Sequence, residues 1–461
     1  MADSRTETEG QTEPTASRAR AGFNQVVLVL LLATLVRLAL LGANIVLHPE
    51  LFHLDATSLV PEISSPELPN MNDFGWEASA IAYAWTCTDQ GFASPFGADT
   101  GPTAWIAPGV VALYGAAFSL WGCFTPPSVF FVFAVALILS VVTTYVVFRI
   151  GLEISDSRAV GVIAAILFAI LPLEARVFIE TGHLDFNLQV FWLAILLYTA
   201  LRILRRDWVS AALALGVVSS AAMYFNPGFV LCTAAAGLVW IRGRDMASSR
   251  RFLSLMATIH LIIVGPYVLY QSARLGTFVP VKSNAGFELF LGNTEEAEGI
   301  LTVSVFRAHH PASNQTEFHK YRELGEEEYV RSARESFFSQ FRLDTYSYYT
   351  IRRLLGYFLV FNLGSPVDST PLALAKMAFW PLPAISLIAL IVSRKGKLER
   401  TEILLPLFVL AYAFPYLVAG VNSRYRIPIA APTVVAIALL VGPALRAWVR
   451  DNAVFTLRNG A

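Results

Sequence analysis

Long apolar runs alternate with short arginine-rich loops along most of the chain, and polar sequence is confined to its two ends and two broad interruptions. Runs long enough for a helix to cross a bilayer, roughly twenty apolar residues each, fall near 24–47, 128–148, 159–178, 186–203, 208–225, 227–241, 252–271, 371–392, 402–420 and 427–445. The pattern predicts an all-α polytopic membrane protein with about ten transmembrane helices. The first run is too long for the apolar core of a signal peptide and has no clear small-residue cleavage site, so it reads as a retained anchor. An eleventh run, Trp105 to Cys123, is apolar enough to span, and arginine placement decides against it. With ten spans and an inner N-terminus, the loops carrying Arg149 and Arg158, Arg202 to Arg206, Arg242 to Arg251, and Arg394 to Arg400 join Arg18, Arg20, Arg446 and Arg450 on the cytoplasmic side. That is the distribution the positive-inside rule requires. A span at 105–123 would move every later basic loop outward. The segment is therefore expected as an interfacial or re-entrant helix on the outer face, held by Trp105, Tyr114 and Trp121.

This arrangement divides the chain into a disordered cytoplasmic tail at 1–22, a transmembrane domain at 23–445 and a cytoplasmic tail at 446–461. Two outer loops interrupt the domain, at 48–127 and 272–370, and the second carries a helical pattern around Glu326 to Phe341. Composition agrees: 55% hydrophobic and 15% charged residues, with a mean hydropathy of +0.56, exclude an ordinary soluble domain. Basic and acidic residues balance at 34 each, so no bulk field points to nucleic acid. Three cysteines are too few for a disulfide scaffold or a zinc cluster. Cys87 and Cys123 share the first outer loop, where a disulfide is permitted in an oxidising compartment and free thiols are the equal alternative; Cys232 falls in a span. The histidines show no metal-ligand spacing, with His309 and His310 adjacent in a loop and His260 in a span.

Candidate chemistry concentrates at Met71 to Pro108, where acidic side chains sit among aromatics between the first two spans. Asp73 and Glu77 are four apart and would share one face of a helix. Carboxylates beside a low-dielectric wall suit a general base; the plain alternative is a solvated helix start capped by Asn72 or Asp73. Asp185 opens the fourth span beside His183, either as an N-cap or as a functional ionisable group at membrane depth. Outer-face cations, Lys282, Arg424 and Arg426 foremost, run against the positive-inside trend and suit phosphate; the alternative is ion pairing with Glu295, Glu296 and Glu298. Arg37, inside the first span, needs a partner or a route to the interface.

The order of several segments resembles the GT-C superfamily of membrane glycosyltransferases, in the branch of protein O-mannosyltransferases and lipid A aminoarabinose transferases. The helix NDFGWEASAIAYAW is similar to the family's acidic first-loop helix ending in an Ile-Ala pair, here Ile81 and Ala82. It is followed by GFASPFGADTGPTAWIAP and an amphipathic helix closing on Leu120-Trp121-Gly122. HLDFNLQVFWLA, GFELFLGNTEEAEG and RYRIP also look like family segments. The likeness covers most of residues 20–445. It implies transfer of a sugar from a polyprenyl-phosphate donor to a glycan, lipid or protein acceptor at the outer face of the cell membrane. It further implies Glu77 or Asp73 as base, Asp185 positioning the acceptor or a basic partner, and His183 and Asn293 as acceptor-positioning groups. Lys282, Arg424 and Arg426 would hold the carrier phosphate. No cofactor is required by this reading, although a divalent metal is compatible with the carboxylates. The chain departs from the family in one respect: the usual adjacent Asp-Glu is here separated by Phe74, Gly75 and Trp76, which leaves the base open between Glu77 and Asp73. Two rival classes share the hydropathy pattern, a transporter or lipid flippase and a non-catalytic scaffold of the same fold. Charge placed mainly at outer helix ends, and not deep within several spans, argues against the transporter.

Overall fold

The computed structural model describes residues 13–47, 49, 52, 74–97, 99–171, 184–359 and 380–459. Asp73 and His183 lie outside the described residues, as do 172–178 and 371–379 of two expected spans. Among the described residues the chain is all helical, with two isolated bridges, Ala93 to Pro102 and Ile300 to Val421. The helices are α1 (Glu13–Leu47), α2 (Trp76–Thr86), α3 (Pro108–Trp121), α4 (Pro126–Ser155), α5 (Arg158–Ile170) and α6 (Leu184–Ile203). They continue with α7 (Trp208–Met223), α8 (Phe229–Ile241), α9 (Met246–Leu275), α10 (Ala285–Leu291), α11 (Val303–His309) and α12 (Gln315–Ser339). Last come α13 (Leu343–Phe358), α14 (Leu382–Ser393), α15 (Leu404–Val418), a 3-10 helix (Ser423–Ile429) and α16 (Ala430–Asn459).

An apolar helix lies in each of the ten expected spans, and five of them are long and apolar enough to cross a bilayer: Asn24–Leu47, Pro126–Ser155, Asp185–Ile203, Met246–Leu275 and Ser423–Leu445. The remaining five expected spans hold shorter apolar helices, and α3 is a sixth of that kind. Local chemistry explains the starts. Thr125 accepts from Ser128 N and is followed by Pro126 and Pro127, which α4 tolerates in its first turn. Asp207 and Asp245 cap α7 and α9 by accepting backbone N–H groups of the first turn.

Arg37 finds its partners inside the bundle. It is fully buried and donates to Ser140 Oγ at 2.9 Å, Ala169 O at 2.7 Å and Phe168 O at 3.3 Å. The last carbonyls of α5 have no intrahelical donor, so one guanidinium satisfies them and ties α1, α4 and α5 together. Basic loops gather at one end of the bundle: Arg202 and Arg205 each lie 3.3 Å from Glu153, and Arg244 donates to the Leu204 and Arg206 carbonyls.

The two long loops join elsewhere, around an aromatic cluster of Phe96, Trp105, Phe287, Phe318, Tyr321 and Tyr329. This corrects the expectation for Trp105 and Tyr114, each 1% exposed and part of the interior; of the three expected interfacial anchors only Trp121 is exposed. Cys87 and Cys123 form a disulfide that fastens the end of α2 to the end of α3. The helical pattern expected near Glu326 to Phe341 is the second half of α12, which breaks at Gly325 with φ 75.

Candidate active site

The chain enters α2 through two successive left-handed residues, Gly75 at φ 80 and Trp76 at φ 48. The left-handed region costs a non-glycine residue such as Trp76 energy, and such strain concentrates at functional sites. Gly75 has a second constraint, because a Cβ there would lie 2.5 Å from the Tyr114 ring. The helix begins at Trp76, and Asp73 lies outside the described residues. Glu77 projects from the first turn into a cavity of about 500 Å³.

Four of the expected site residues line this cavity: Glu77, Asp185, Lys282 and Arg424. They come from α2, the first turn of α6, the loop before α10 and the 3-10 helix. Glu288, Asn284, Gln189, Asn226, His310 and Tyr114 also line it, with an apolar wall that includes Leu231, Phe414 and Val418. Arg424 lies 5.8 Å from the ring centroids of Phe186, Phe306 and Tyr425, so aromatic faces support the guanidinium at the cavity edge.

Burial raises the Glu77 pKa, and the positive charges of Arg424 and Lys282 oppose the shift. The His310 imidazole is driven the other way, down to about 3, by burial first and then by Arg424 and Lys282. His310 Nε2 lies 3.6 Å from Glu77 Oε1. That distance fits an ion pair only if the ring is charged, and the low pKa keeps it neutral. Because Nδ1 accepts from Ala312 N at 3.1 Å, the neutral ring carries its proton on Nε2, facing Glu77.

Asp185 is tied to a polar chain running into the bundle. Gln189 Nε2 donates to Asp185 Oδ2 at 3.3 Å, while Gln189 Oε1 accepts from Asn226 at 2.7 Å and from Tyr412 at 2.6 Å. Two donors on Oε1 fix which way the Gln189 amide points, and hence its N–H groups face Asp185.

Lys282 is held in place by the loop around it. Ser283 N donates to Ala104 O at 3.0 Å, and the buried Glu326 accepts from Ala104 N at 2.7 Å, Ser283 Oγ at 2.6 Å, Tyr321 Oη at 2.8 Å and Thr103 Oγ1. One carboxylate thereby joins the two long loops and α12 immediately behind the cavity wall. Burial raises its pKa, and the four donors oppose the shift.

Two expected site residues lie elsewhere. Arg426 is 1% exposed, stacks 3.9 Å from the Trp380 ring centroid and donates to the Trp380 carbonyl. A 3-10 helix turns about 120° per residue, so side chains two apart diverge and Arg424 and Arg426 cannot share a ligand. Asn293 donates to the Leu289 carbonyl and accepts from Arg353. Arg353 also binds the Val418 and Gly292 carbonyls at 2.9 and 3.0 Å, which makes this a brace between α10 and α15. Sequence reasoning missed His310, Glu288, Gln189 and Asn226 as site residues. His310 carried one signal, its place beside His309; Glu288 and Gln189 are ordinary helix polar residues and Asn226 lies in the connection between α7 and α8, so packing sets their place. Among the described residues no group of three His, Cys, Asp or Glu is placed to hold a metal ion.

Comparison with solved structures places this architecture. The chain is similar to the archaeal oligosaccharyltransferase AglB from Archaeoglobus fulgidus in complex with an inhibitory peptide and a dolichol-phosphate, with a TM-score of 0.50 and 14% identity, over 93% of this chain and 52% of that one. An Archaeoglobus fulgidus oligosaccharyltransferase tethered with an acceptor peptide containing the NVT sequon gives a TM-score of 0.50 and 14% identity, over 90% of this chain and 49% of that one. This chain thus spans about half the length of those structures, and at such identity the likeness is one of fold alone. No protein-family profile matches the chain, and no curated protein sequence matches it.

Proposed function

We propose that the protein is a membrane glycosyltransferase that moves a sugar from a polyprenyl-phosphate donor to a glycan, lipid or protein acceptor at the outer face of the cell membrane. The observation that carries this reading is the convergence of two carboxylates, Glu77 and Asp185, with two cations, Lys282 and Arg424, on one cavity with an apolar wall. The AglB structure that contains a dolichol-phosphate has the same fold, which supports a lipid-phosphate donor here.

In this mechanism Lys282 and Arg424 bind the donor phosphate, and the apolar wall meets the start of the prenyl chain. The acceptor hydroxyl or amine attacks the anomeric carbon as the carbon–oxygen bond to phosphate breaks. Glu77 takes the acceptor proton, and the two cations stabilise the charge that grows on the leaving phosphate. Glu77 is taken as the base because it lines the cavity and burial raises its pKa; Asp73 lies outside the described residues. Asp185, aimed by Gln189, positions the acceptor. Arg426 and Asn293 take structural roles.

The test is donor consumption. Purified protein in lipid nanodiscs is incubated with a panel of radiolabelled polyprenyl-phosphate sugars and candidate acceptors. Consumption of one donor with release of polyprenyl phosphate is expected. Turnover of none, with nucleotide sugars used instead, would remove the lipid-phosphate reading.

A further inference from the structure

Most polar side chains around the cavity have partners. Tyr412 donates to Gln189 and Asn226 donates to Tyr416, and in the adjoining aromatic cluster Tyr321 and Tyr329 donate to Glu326 and Glu317. Tyr114 is different. It lines the cavity and is 1% exposed, and among the described residues its hydroxyl has no hydrogen-bond partner. Its position is not an accident of a loose side chain. The ring packs where Gly75 leaves no room for a Cβ, and it meets Phe74 edge-on at 5.2 Å.

A buried hydroxyl without a partner is unfavourable, and phenylalanine would fill the same volume without that cost. The balance reverses if a ligand oxygen arrives at the hydroxyl. Tyr114 sits beside the Gly75-Trp76 turn that aims Glu77, and close enough to Asp185 for that charge to bear on its hydroxyl. An oxygen it reaches therefore lies near the reacting end of a bound ligand.

We propose that Tyr114 is a substrate-binding residue whose hydroxyl donates a hydrogen bond to an oxygen of the sugar phosphate of the lipid-linked donor. The inference rests on the donor reading given above. It adds a contact from α3, a helix that no sequence signal placed in the site.

The experiment compares wild-type protein with Tyr114→Phe in nanodiscs, using a panel of farnesyl-phosphate sugars as probes. Melting temperature without ligand, donor affinity and kcat/KM are read together. The expected result is a variant that melts at or above wild type, yet binds the donor and turns it over roughly ten- to hundredfold less well, the size of one lost ligand hydrogen bond. A variant that melts lower with unchanged donor affinity would make the hydroxyl structural and overturn the proposal. Wild-type protein that binds none of the donors would remove the donor reading and this inference together. Binding by wild type that the variant matches removes the inference alone.

Discussion

In the proposed mechanism Glu77 is the general base: burial raises its pKa, a neutral His310 N–H lies beside it, and Lys282 and Arg424 line the same cavity. The pH dependence follows. A base must be ionised to accept a proton, so kcat/KM is expected to fall as pH drops through the Glu77 pKa. Because burial raises that pKa, the acid limb should inflect above about 4.3, the ordinary glutamate value. His310, lowered to about 3, stays neutral across this range and adds no limb of its own. A pH–rate profile checks this, and an inflection at or below the ordinary carboxylate value would contradict it. At this scale the sequence was informative where unusual residue types stood in unusual places. Glu77 among aromatics and Arg424, a cation expected against the positive-inside trend, both line the cavity. Arg426 bore the same signal and lies elsewhere, since the phase of a 3-10 helix is not written in residue type. His310, Glu288 and Asn226 gave little signal, because only the fold brings their segments together.

At the scale of elements, the site depends on how α2 and α3 are held. The disulfide between Cys87 and Cys123 spans 36 residues, and closing a loop of that length removes chain entropy worth about 3–4 kcal/mol from the unfolded state. The double variant Cys87→Ala, Cys123→Ala is expected to unfold with a free energy lower by about that amount, read by detergent titration in reconstituted protein. Unfolding at the wild-type midpoint would mean that the link does not constrain the loop. The sequence left this pairing open, because spacing alone does not bring two cysteines together; the packing of α3 on α2 does. The α3 segment shows the same limit. Its apolar run was legible, but whether Trp105 and Tyr114 met lipid or the interior was not, since the exposed stripe of α3, with Ala112, Ala116 and Leu120, is as apolar as its buried one and leaves no polar face for periodicity to detect. The start of α7 at Trp208 matches the expected span, whereas α9 starts at Met246, ahead of the expected 252, because the Asp245 cap lies outside the apolar run that hydropathy detects.

For the molecule as a whole, hydropathy foresaw an apolar helix in each of the ten expected spans, with five of full spanning length among the described residues. The lengths of the shorter helices were not legible, because prolines and caps trim them inside continuous apolar sequence. One end of the bundle collects the basic loops around Glu153 and Leu204, and the two long loops join around an aromatic cluster and close over a charged cavity. Glu326 and Arg353 brace that closure by binding several segments each. A lipid-linked donor fits such a plan, with its chain among apolar helices and its phosphate at the cations.

The most direct test of the account is transfer by Glu77→Gln, a change that keeps the side chain's shape and removes its capacity to take a proton. With the donor that wild-type protein consumes, the account predicts a loss of roughly 10²- to 10⁴-fold in kcat, with melting temperature and donor affinity retained. Transfer by Glu77→Gln at the wild-type rate would contradict it.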